Sequence, residues 1–282
     1  MNKPEGVSRR GFFHTAVATT AGAAITGPSP RSSAGTRPLP LKIGLTSYSM
    51  RKQSLDQVIE LCKEAEIRYL NIKQVHLPLS ATPEQLQAAR AKIEAAGVTI
   101  TGGGVIGMRN NEDEVRRAFE YARVARLPLL VAGLTSDAVD LVEEMVKEYA
   151  IPVAIHNNGP EDHNFQTPYD ILVAIRRRDR RLGICMDVGH AFRAGADPIR
   201  CVTDTGDRLF DVHVKDLKDR SDKGSGVEVG LGLVDVAGLI KSLVRRRFQG
   251  HVALEYEINI DNPVAGIRES LAYLRGAAST LA

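Results

Sequence analysis

The chain has 282 residues, of which 43% are hydrophobic and 25% are charged, and its formal net charge at pH 7 is +3. This is ordinary globular usage, with neither the low hydrophobicity of disordered chains nor a collagen-like composition. Without residues 1–40, 32 basic residues stand against 33 acidic ones, so the remaining chain carries a charge of about −1. The composition therefore predicts no basic surface for nucleic acid.

The N-terminal segment resembles a twin-arginine export signal. It reads Ser-Arg-Arg-Gly-Phe-Phe at residues 8–13, followed by an uncharged run over residues 15–27 and a Pro/Ser-rich stretch to residue 40. The uncharged run is too short to span a bilayer. We therefore predict a signal peptide and linker over residues 1–40, no membrane span, and a periplasmic or extracellular protein. A basic disordered tail is the alternative.

Three cysteines, Cys62, Cys185 and Cys201, fit no disulfide framework and no zinc-site spacing. Cys62 lies on the apolar face of a predicted helix, and Cys185 lies within a predicted strand. We expect buried structural thiols.

From residue 41 the chain alternates short apolar runs with amphipathic helices. Predicted strands cover residues 42–48, 69–75, 98–101, 128–133, 152–156 and 251–257, and two more lead into the motifs that end at His190 and Asp216. Predicted helices begin after the capping residues Ser54 and Thr82 and cover residues 111–126, 136–150, 167–177, 197–205, 231–247 and 264–274. Eight strands that alternate with eight helices predict an α/β fold, a single closed (β/α)₈ TIM barrel over residues 41–282.

Three consecutive glycines, Gly102 to Gly104, follow the predicted third strand directly. The lysine and the Ser/Thr of a phosphate-binding loop are absent. We expect close packing or the approach of a substrate at this point.

Two short motifs end the sixth and seventh strands: Cys-Met-Asp-Val-Gly-His, ending at His190, and Asp-Val-His-Val-Lys-Asp, ending at Asp216. A parallel strand pair needs a crossover of a dozen or more residues, and the predicted helix at residues 197–205 with its loops supplies one. Asp187 and His213 are therefore predicted to lie at neighbouring strand ends.

Active sites of TIM barrels lie at the C-terminal ends of the strands, and polar residues cluster at that edge in this chain. Alternation places Asp211, His213 and Lys215 on one face of the seventh strand. Other polar residues at the strand ends are Lys73, His76, His156, Asn158, Asp187, His190, Glu255 and Glu257. This distribution predicts an active site at the C-terminal edge.

Four of these residues, one from each of the last four strands, make a candidate metal site: His156, Asp187, His213 and Glu255. Mixed nitrogen and oxygen donors suit Mn, Co, Fe, Ni or Zn better than Mg. We predict one divalent metal as the cofactor. Taken singly, each residue could instead cap a loop or lie on the surface.

The motifs Met-Asp-Val-Gly-His, Asp-Val-His-Val-Lys-Asp and Ala-Leu-Glu-Tyr-Glu make the chain from residue 42 onward resemble the sugar phosphate isomerase/epimerase superfamily, the xylose isomerase-like barrels. The resemblance implies a divalent metal held by Glu, Asp, His and Glu. Asp187, His213 and Glu255 match that set by motif, and His190 is implied to contact the substrate or a metal-bound water. His156 stands where the family has its first Glu, as in branches with a His-Asn-His-like sequence.

A metal that binds a carbonyl and an adjacent hydroxyl acidifies the C–H bond between them. We therefore predict a divalent-metal-dependent isomerase or epimerase that acts on a sugar or keto-sugar through a metal-stabilised enediolate. The resemblance implies two opposed carboxylates as bases, and with His156 in place of one of them the remaining base is Glu255 or Glu257. Glu161 could fold back over the site or be a solvated loop carboxylate.

Two alternatives concern the chemistry at the same site. The first is a lyase or hydratase on a keto-sugar or 3-keto-glycoside, with His190 or Lys215 assisting the leaving group. The second is a sugar-binding barrel without turnover. An equal alternative to a catalytic role for Lys215 is a salt bridge with Asp216 or Asp211.

The predicted partner is a small-molecule carbohydrate, and a homo-oligomer is left open. The residues predicted to bind substrate are Lys73, His76, Asn158, His190 and Lys215. A metal-dependent phosphodiesterase, as in the apurinic endonucleases that share this barrel, would need further metal ligands and a basic groove.

Overall fold

The computed structural model describes residues 39–281, so the predicted export segment lies outside the described residues except for its last two positions. The strands are β1 (Lys42–Thr46), β2 (Tyr69–Ile72), β3 (Thr99–Met108), β4 (Leu130–Leu134), β5 (Val153–His156), β6 (Leu182–Asp187), β7 (Leu209–Val214), β8 (Asp216–Leu217), β9 (Gly226–Val227) and β10 (His251–Leu254). The α-helices are α1 (Leu55–Glu64), α2 (Pro83–Ala95), α3 (Glu112–Val124), α4 (Val139–Tyr149), α5 (Pro168–Ile175), α6 (Val188–Arg193), α7 (Pro198–Thr205), α8 (Val236–Arg245) and α9 (Val264–Ser279).

Eight parallel strands close into a barrel in the order β1-β10-β7-β6-β5-β4-β3-β2, which confirms the predicted TIM barrel. β5, β6 and β10 are buried at every position. Burial on both faces is why these strands read as continuous apolar runs in the sequence. No helix in the described part of the chain is both long and apolar enough to cross a membrane.

The predicted helix starts are confirmed where a capping residue marks them. Ser54, Thr82 and Thr167 each accept the backbone N–H three residues on, and the side chain at that third position bonds back to the cap. Each cap satisfies donors that the first turn of a helix leaves unpaired. The three cysteines are free and buried, as expected.

The predicted end of the third strand was wrong, because β3 continues through the three glycines to Met108. A Cβ on Gly103 would lie 2.4 Å from Leu127 Cδ1, and a Cβ on Gly104 would lie 2.0 Å from the carbonyl oxygen of Val131. Gly104 has a φ of +120°, and the register to β4 shifts between Gly103 and Ile106. The glycines therefore form a bulge that lets β4 approach closely, rather than a loop.

Other local features also differ from prediction. β1 ends at Thr46 and leads into a short 3₁₀ helix, Ser47–Met50. The helix α6 and the antiparallel β8–β9 hairpin were not predicted. α8 begins at Val236 rather than at residue 231, because Asp235 caps it by accepting the N–H of Gly238 at 2.8 Å.

Asp216 anchors the segment between the hairpin and α8. Its carboxylate accepts the backbone N–H groups of Leu217, Gly230, Gly232 and Val234 at 2.9 to 3.1 Å. Four such bonds satisfy a buried charge and fix the path of residues 228–235.

A buried polar group lies inside the barrel on the N-terminal side of the strand ends. Asn71 Nδ2 donates to Asp211 Oδ2 at 3.3 Å, and Thr101 Oγ1 lies 2.9 Å from His251 Nδ1. His251 Nδ1 is 3.8 Å from Asp211 Oδ1. Burial lowers the pKa of His251 to about 4, against the partial compensation of Asp211.

Gly104→Ala is expected to destabilise the protein by at least about 2 kcal/mol, because alanine is strained at positive φ and its Cβ would overlap the backbone of β4. Gly107→Ala in the same strand is the matched control, since a Cβ there meets nothing within 4 Å. Urea unfolding of both variants measures the difference. Equal stabilities would contradict the bulge assignment.

Acidification is expected to destabilise the wild type through His251. Its pKa falls from 6.5 in the unfolded chain to about 4 in the fold, so between these values the unfolded state binds more protons. The stabilisation is complete above pH 6.5 and is lost as the pH falls toward 4. Between pH 7.5 and 4.5 the free energy of unfolding should drop by about 2–3 kcal/mol more than in His251→Gln. Urea titrations measure the free energy of unfolding of both proteins across this pH range. An equal drop in the wild type and in His251→Gln would contradict this role of His251.

Candidate metal centre

The four predicted metal ligands lie together at the C-terminal edge of the barrel. They come from β5, β6, β7 and the residue after β10, which are consecutive neighbours in the barrel. Asp187 and His213 are directly paired across β6 and β7, which confirms their predicted juxtaposition. One ligand atom from each of His156, Asp187, His213 and Glu255 lies within 4.8 Å of all the others, and all four residues are buried.

Three of the four facing atoms, those of His156, Asp187 and His213, have no hydrogen-bond partner among the described residues. His156 Nε2 is 3.6 Å from Asp187 Oδ2, and His213 Nδ1 is 3.5 Å from Glu255 Oε2. His156 Nε2, Asp187 Oδ2 and His213 Nδ1 are all buried without a partner. Buried polar atoms are rarely left so, because the cost is several kcal/mol in an apolar surrounding. Two imidazoles and two carboxylates that converge in this way fit a divalent metal.

Asp187 is held in place from two sides. Its Oδ1 caps α6 by accepting the N–H of His190 at 2.8 Å. The side-chain amide of Asn157 bonds both to the backbone carbonyl and to the backbone N–H of Asp187, at 3.1 and 2.9 Å. These contacts fix the ends of β5 and β6 together and leave Oδ2 facing His156.

Two lysines, the buried Lys73 and the half-buried Lys215, flank the carboxylates. Lys215 Nζ forms ion pairs with both carboxylates, at 3.0 Å from Asp187 Oδ2 and 3.3 Å from Glu255 Oε2. It also contacts Glu257. Lys73 Nζ lies 3.0 Å from Glu255 Oε1. The predicted pairing of Lys215 with Asp216 or Asp211 was therefore wrong.

These contacts set the protonation of the site. Burial alone would raise the pKa of Asp187, but His190 and Lys215 hold it below its usual range. Burial would likewise raise the pKa of Glu255, which Lys73 and Lys215 lower well below the ordinary value. Both carboxylates are therefore charged at neutral pH. Burial lowers the pKa of His156, so its imidazole is neutral, as a metal ligand must be.

The loop after β5 supports His156. His156 Nδ1 lies 2.9 Å from Asn158 Oδ1, and Asn158 Nδ2 donates to Asp162 Oδ2 at 2.7 Å. No spacing or motif along the chain singles out Asp162, although it follows His156 by six residues on the same loop. Glu161 does not fold over the site but pairs with Arg193, with 3.0 Å between Nη1 and Oε2.

The residues predicted to bind substrate differ in their availability. Lys73 and Lys215 reach the metal-site carboxylates, and His190 Nδ1 is buried without a partner among the described residues. His76 has both ring nitrogens engaged, at 3.0 Å from Ser47 Oγ and 3.0 Å from the carbonyl of Gln53. Asn158 is engaged by the loop contacts described above.

A cavity of about 120 Å³ opens beside Glu255 and Lys215. Its other walls are the β8–β9 hairpin and the segment from Tyr256 to Ile258. The chain thus offers a small, partly open cavity next to Glu255, one of the four candidate metal ligands.

Solved structures similar to this one share the barrel. The IolI protein with a binding zinc atom is 14% identical, with a TM-score of 0.68, and the match covers 84% of this chain and 99% of that one. A D-allulose 3-epimerase from Methylomonas sp. is 14% identical, with a TM-score of 0.66 over 85% and 99% of the two chains. The probable 3-DHS dehydratase AsbF from Bacillus anthracis is 13% identical, with a TM-score of 0.68 over 83% and 98%. At these identities the likeness shows the fold.

The sequence itself identifies the family. No curated protein matches the chain. A family model described as the xylose isomerase-like TIM barrel matches residues 46–277, which is most of the chain. The predicted family resemblance is confirmed, and the chain belongs to the xylose isomerase-like TIM barrel family.

Proposed function

We propose that the protein is a divalent-metal-dependent isomerase or epimerase that acts on a sugar or keto-sugar. The observation that carries the proposal is the convergence of four buried donor side chains, His156, Asp187, His213 and Glu255, at the C-terminal edge of the barrel. The zinc atom in the IolI structure and the activity named for the D-allulose 3-epimerase support it. Mn, Co, Fe, Ni and Zn suit these donors better than Mg.

A divalent ion at this place would polarise a carbonyl and an adjacent hydroxyl and stabilise the enediolate that forms between them. The protein's own groups have two further tasks. Lys73 and Lys215 present ammonium groups beside the carboxylates, where they can donate hydrogen bonds to sugar oxygens. His190 offers a free ring nitrogen at the same edge. The cavity beside Glu255 has room for part of a small carbohydrate.

The geometry favours Glu257 over Glu255 as the proton-transferring base. Each oxygen of Glu255 contacts a lysine ammonium, and this lowers its affinity for a proton. Among the described residues, the Glu257 carboxylate forms an ion pair with Lys215 alone, and its side chain is 40% exposed. It can therefore accept a proton from a substrate at the mouth of the site.

A lyase or hydratase acting on a keto-sugar or 3-keto-glycoside is the second candidate. It is favoured by His156, which leaves the site without one of the two opposed carboxylates of the family's epimerases. Lys215 or His190 would then protonate the leaving group. Solvent deuterium incorporated without loss of a substituent identifies isomerisation or epimerisation, whereas release of the substituent identifies elimination.

Elemental analysis of the purified mature protein should find about one divalent metal ion per chain, because all four donors are preformed. His156→Ala is expected to lose it, whereas His163→Ala, an exposed histidine on the same loop, is expected to retain it. A wild type without metal even after reloading would refute the enzyme mechanism and favour the sugar-binding barrel.

Substitution of the two glutamates should separate metal binding from proton transfer. Glu255→Gln is expected to lose both metal and turnover with the fold intact. Glu257→Gln is expected to keep the metal and lose about 10²- to 10⁴-fold in kcat, the usual contribution of a positioned base. Metal content and turnover on keto-sugars and 3-keto-glycosides measure both effects. Full activity in Glu255→Gln would show that the site is wrongly assigned.

Export through a twin-arginine-type signal is a further proposal, supported by the sequence at residues 8–13. An exported enzyme meets sugars and glycosides rather than intracellular sugar phosphates, in keeping with the proposed substrate class. Recovery of the protein from the cytoplasm alone would refute it.

A further inference from the structure

We propose that Asp162 and Asn158 are positioning residues that hold His156 in one tautomer, with Nε2 as the lone-pair nitrogen available to a metal. This inference rests on the proposed function, because a tautomer matters only if His156 is a ligand. It assigns to Asn158 a role other than the predicted contact with substrate.

Asp162 fixes the orientation of the Asn158 side-chain amide. Asp162 Oδ2 accepts from Asn158 Nδ2 at 2.7 Å, and Asp162 Oδ1 accepts the backbone N–H groups of Asn164 and Phe165. An ionised carboxylate has no hydrogen to donate. The Asn158 group that faces Asp162 must therefore be its NH₂, and the amide oxygen must point the other way.

The oriented Asn158 amide in turn fixes the tautomer of the His156 imidazole. The Asn158 amide oxygen lies 2.9 Å from His156 Nδ1 and can only accept, so Nδ1 carries the hydrogen. A neutral imidazole has one N–H, and Nε2 is consequently the lone-pair nitrogen. Nε2 is buried, has no hydrogen-bond partner among the described residues and lies 3.6 Å from Asp187 Oδ2. The free nitrogen thus faces the other donors.

The hydrogen-bonded pair of Asp162 and Asn158, called the relay below, is needed because residue 156 is a histidine rather than a glutamate. A glutamate can bind a metal through either of its carboxylate oxygens. A histidine in the wrong tautomer instead presents an N–H to the cation and cannot bind it. Outer partners that fix a metal-bound histidine contribute about 10- to 100-fold to metal affinity.

Titration of the purified, metal-stripped protein with Co²⁺, followed by its visible absorption, tests the inference. Asp162→Asn allows the Asn158 amide to turn over, and Asn158→Ala removes the acceptor. Both variants are expected to raise the Kd for Co²⁺ about 10- to 100-fold. Gln166→Ala is the matched control, because it removes a contact with Pro160 in the same loop without touching the relay. It is expected to bind Co²⁺ as the wild type does.

Nitrogen-15 NMR of the wild-type histidine rings, with His156→Ala to assign the signal, should show a protonated Nδ1 and an unprotonated Nε2 at His156. The opposite tautomer would overturn the inference whether or not the variants fold. Unchanged Co²⁺ affinity in both relay variants would also overturn the inference. An equal loss of affinity in Gln166→Ala would overturn it as well. Neither of these results would contradict the proposed metal-dependent function. A wild type that binds no Co²⁺ would overturn the proposed function and this inference together.

Discussion

Three buried carboxylates, Asp187, Asp211 and Glu255, impose the charge constraint on which the rest of the site depends. An ionised carboxylate in a barrel interior costs several kcal/mol unless cations and donors surround it. Lys73 and Lys215 supply two positive charges, and both lie against Glu255. Three negative charges therefore face two ammonium groups, so the buried cluster keeps an excess of negative charge.

The distribution of that excess explains why histidines gather here. Among the described residues, Asp211 has no lysine or arginine within ion-pair distance, and its nearest basic groups are His213 and His251, at 3.5 and 3.8 Å. Burial lowers the pKa of His213, but Cys185, Glu255 and Asp211 together outweigh burial and raise that pKa well above its usual value. A proton on His213 and a divalent cation between the four donors are thus two ways to neutralise the same cluster, and they compete.

Much of the fold followed from the sequence, because buried parallel strands and amphipathic helices leave periodic signals and Ser54, Thr82 and Thr167 mark helix starts. The juxtaposition of Asp187 and His213 also followed, since neighbouring parallel strands end at the same edge. The bulge at the glycines of β3 and the two-residue strands of the hairpin did not follow from the sequence. Glycine is common in loops and in bulges alike, and two residues carry no periodicity. The lysine partners and Asp162 depend on the paths of side chains and loops, which spacing along the chain does not encode.

Asp216 has a consequence for how this barrel can diversify. Its carboxylate closes the base of the excursion between β7 and α8 through four backbone N–H groups. The anchoring also needs glycine at Gly232, because a Cβ there would lie 2.1 Å from Asp216 Oδ1. Residues 218–225, at the tip of the hairpin, lie beyond that anchor. Lys223 and Gly224 at this tip line the cavity beside Glu255, so replacements there change the cavity wall while Asp216 holds the base of the excursion. The excursion is a module that evolution or protein engineering can exchange to alter substrate range while the metal-binding edge stays as it is.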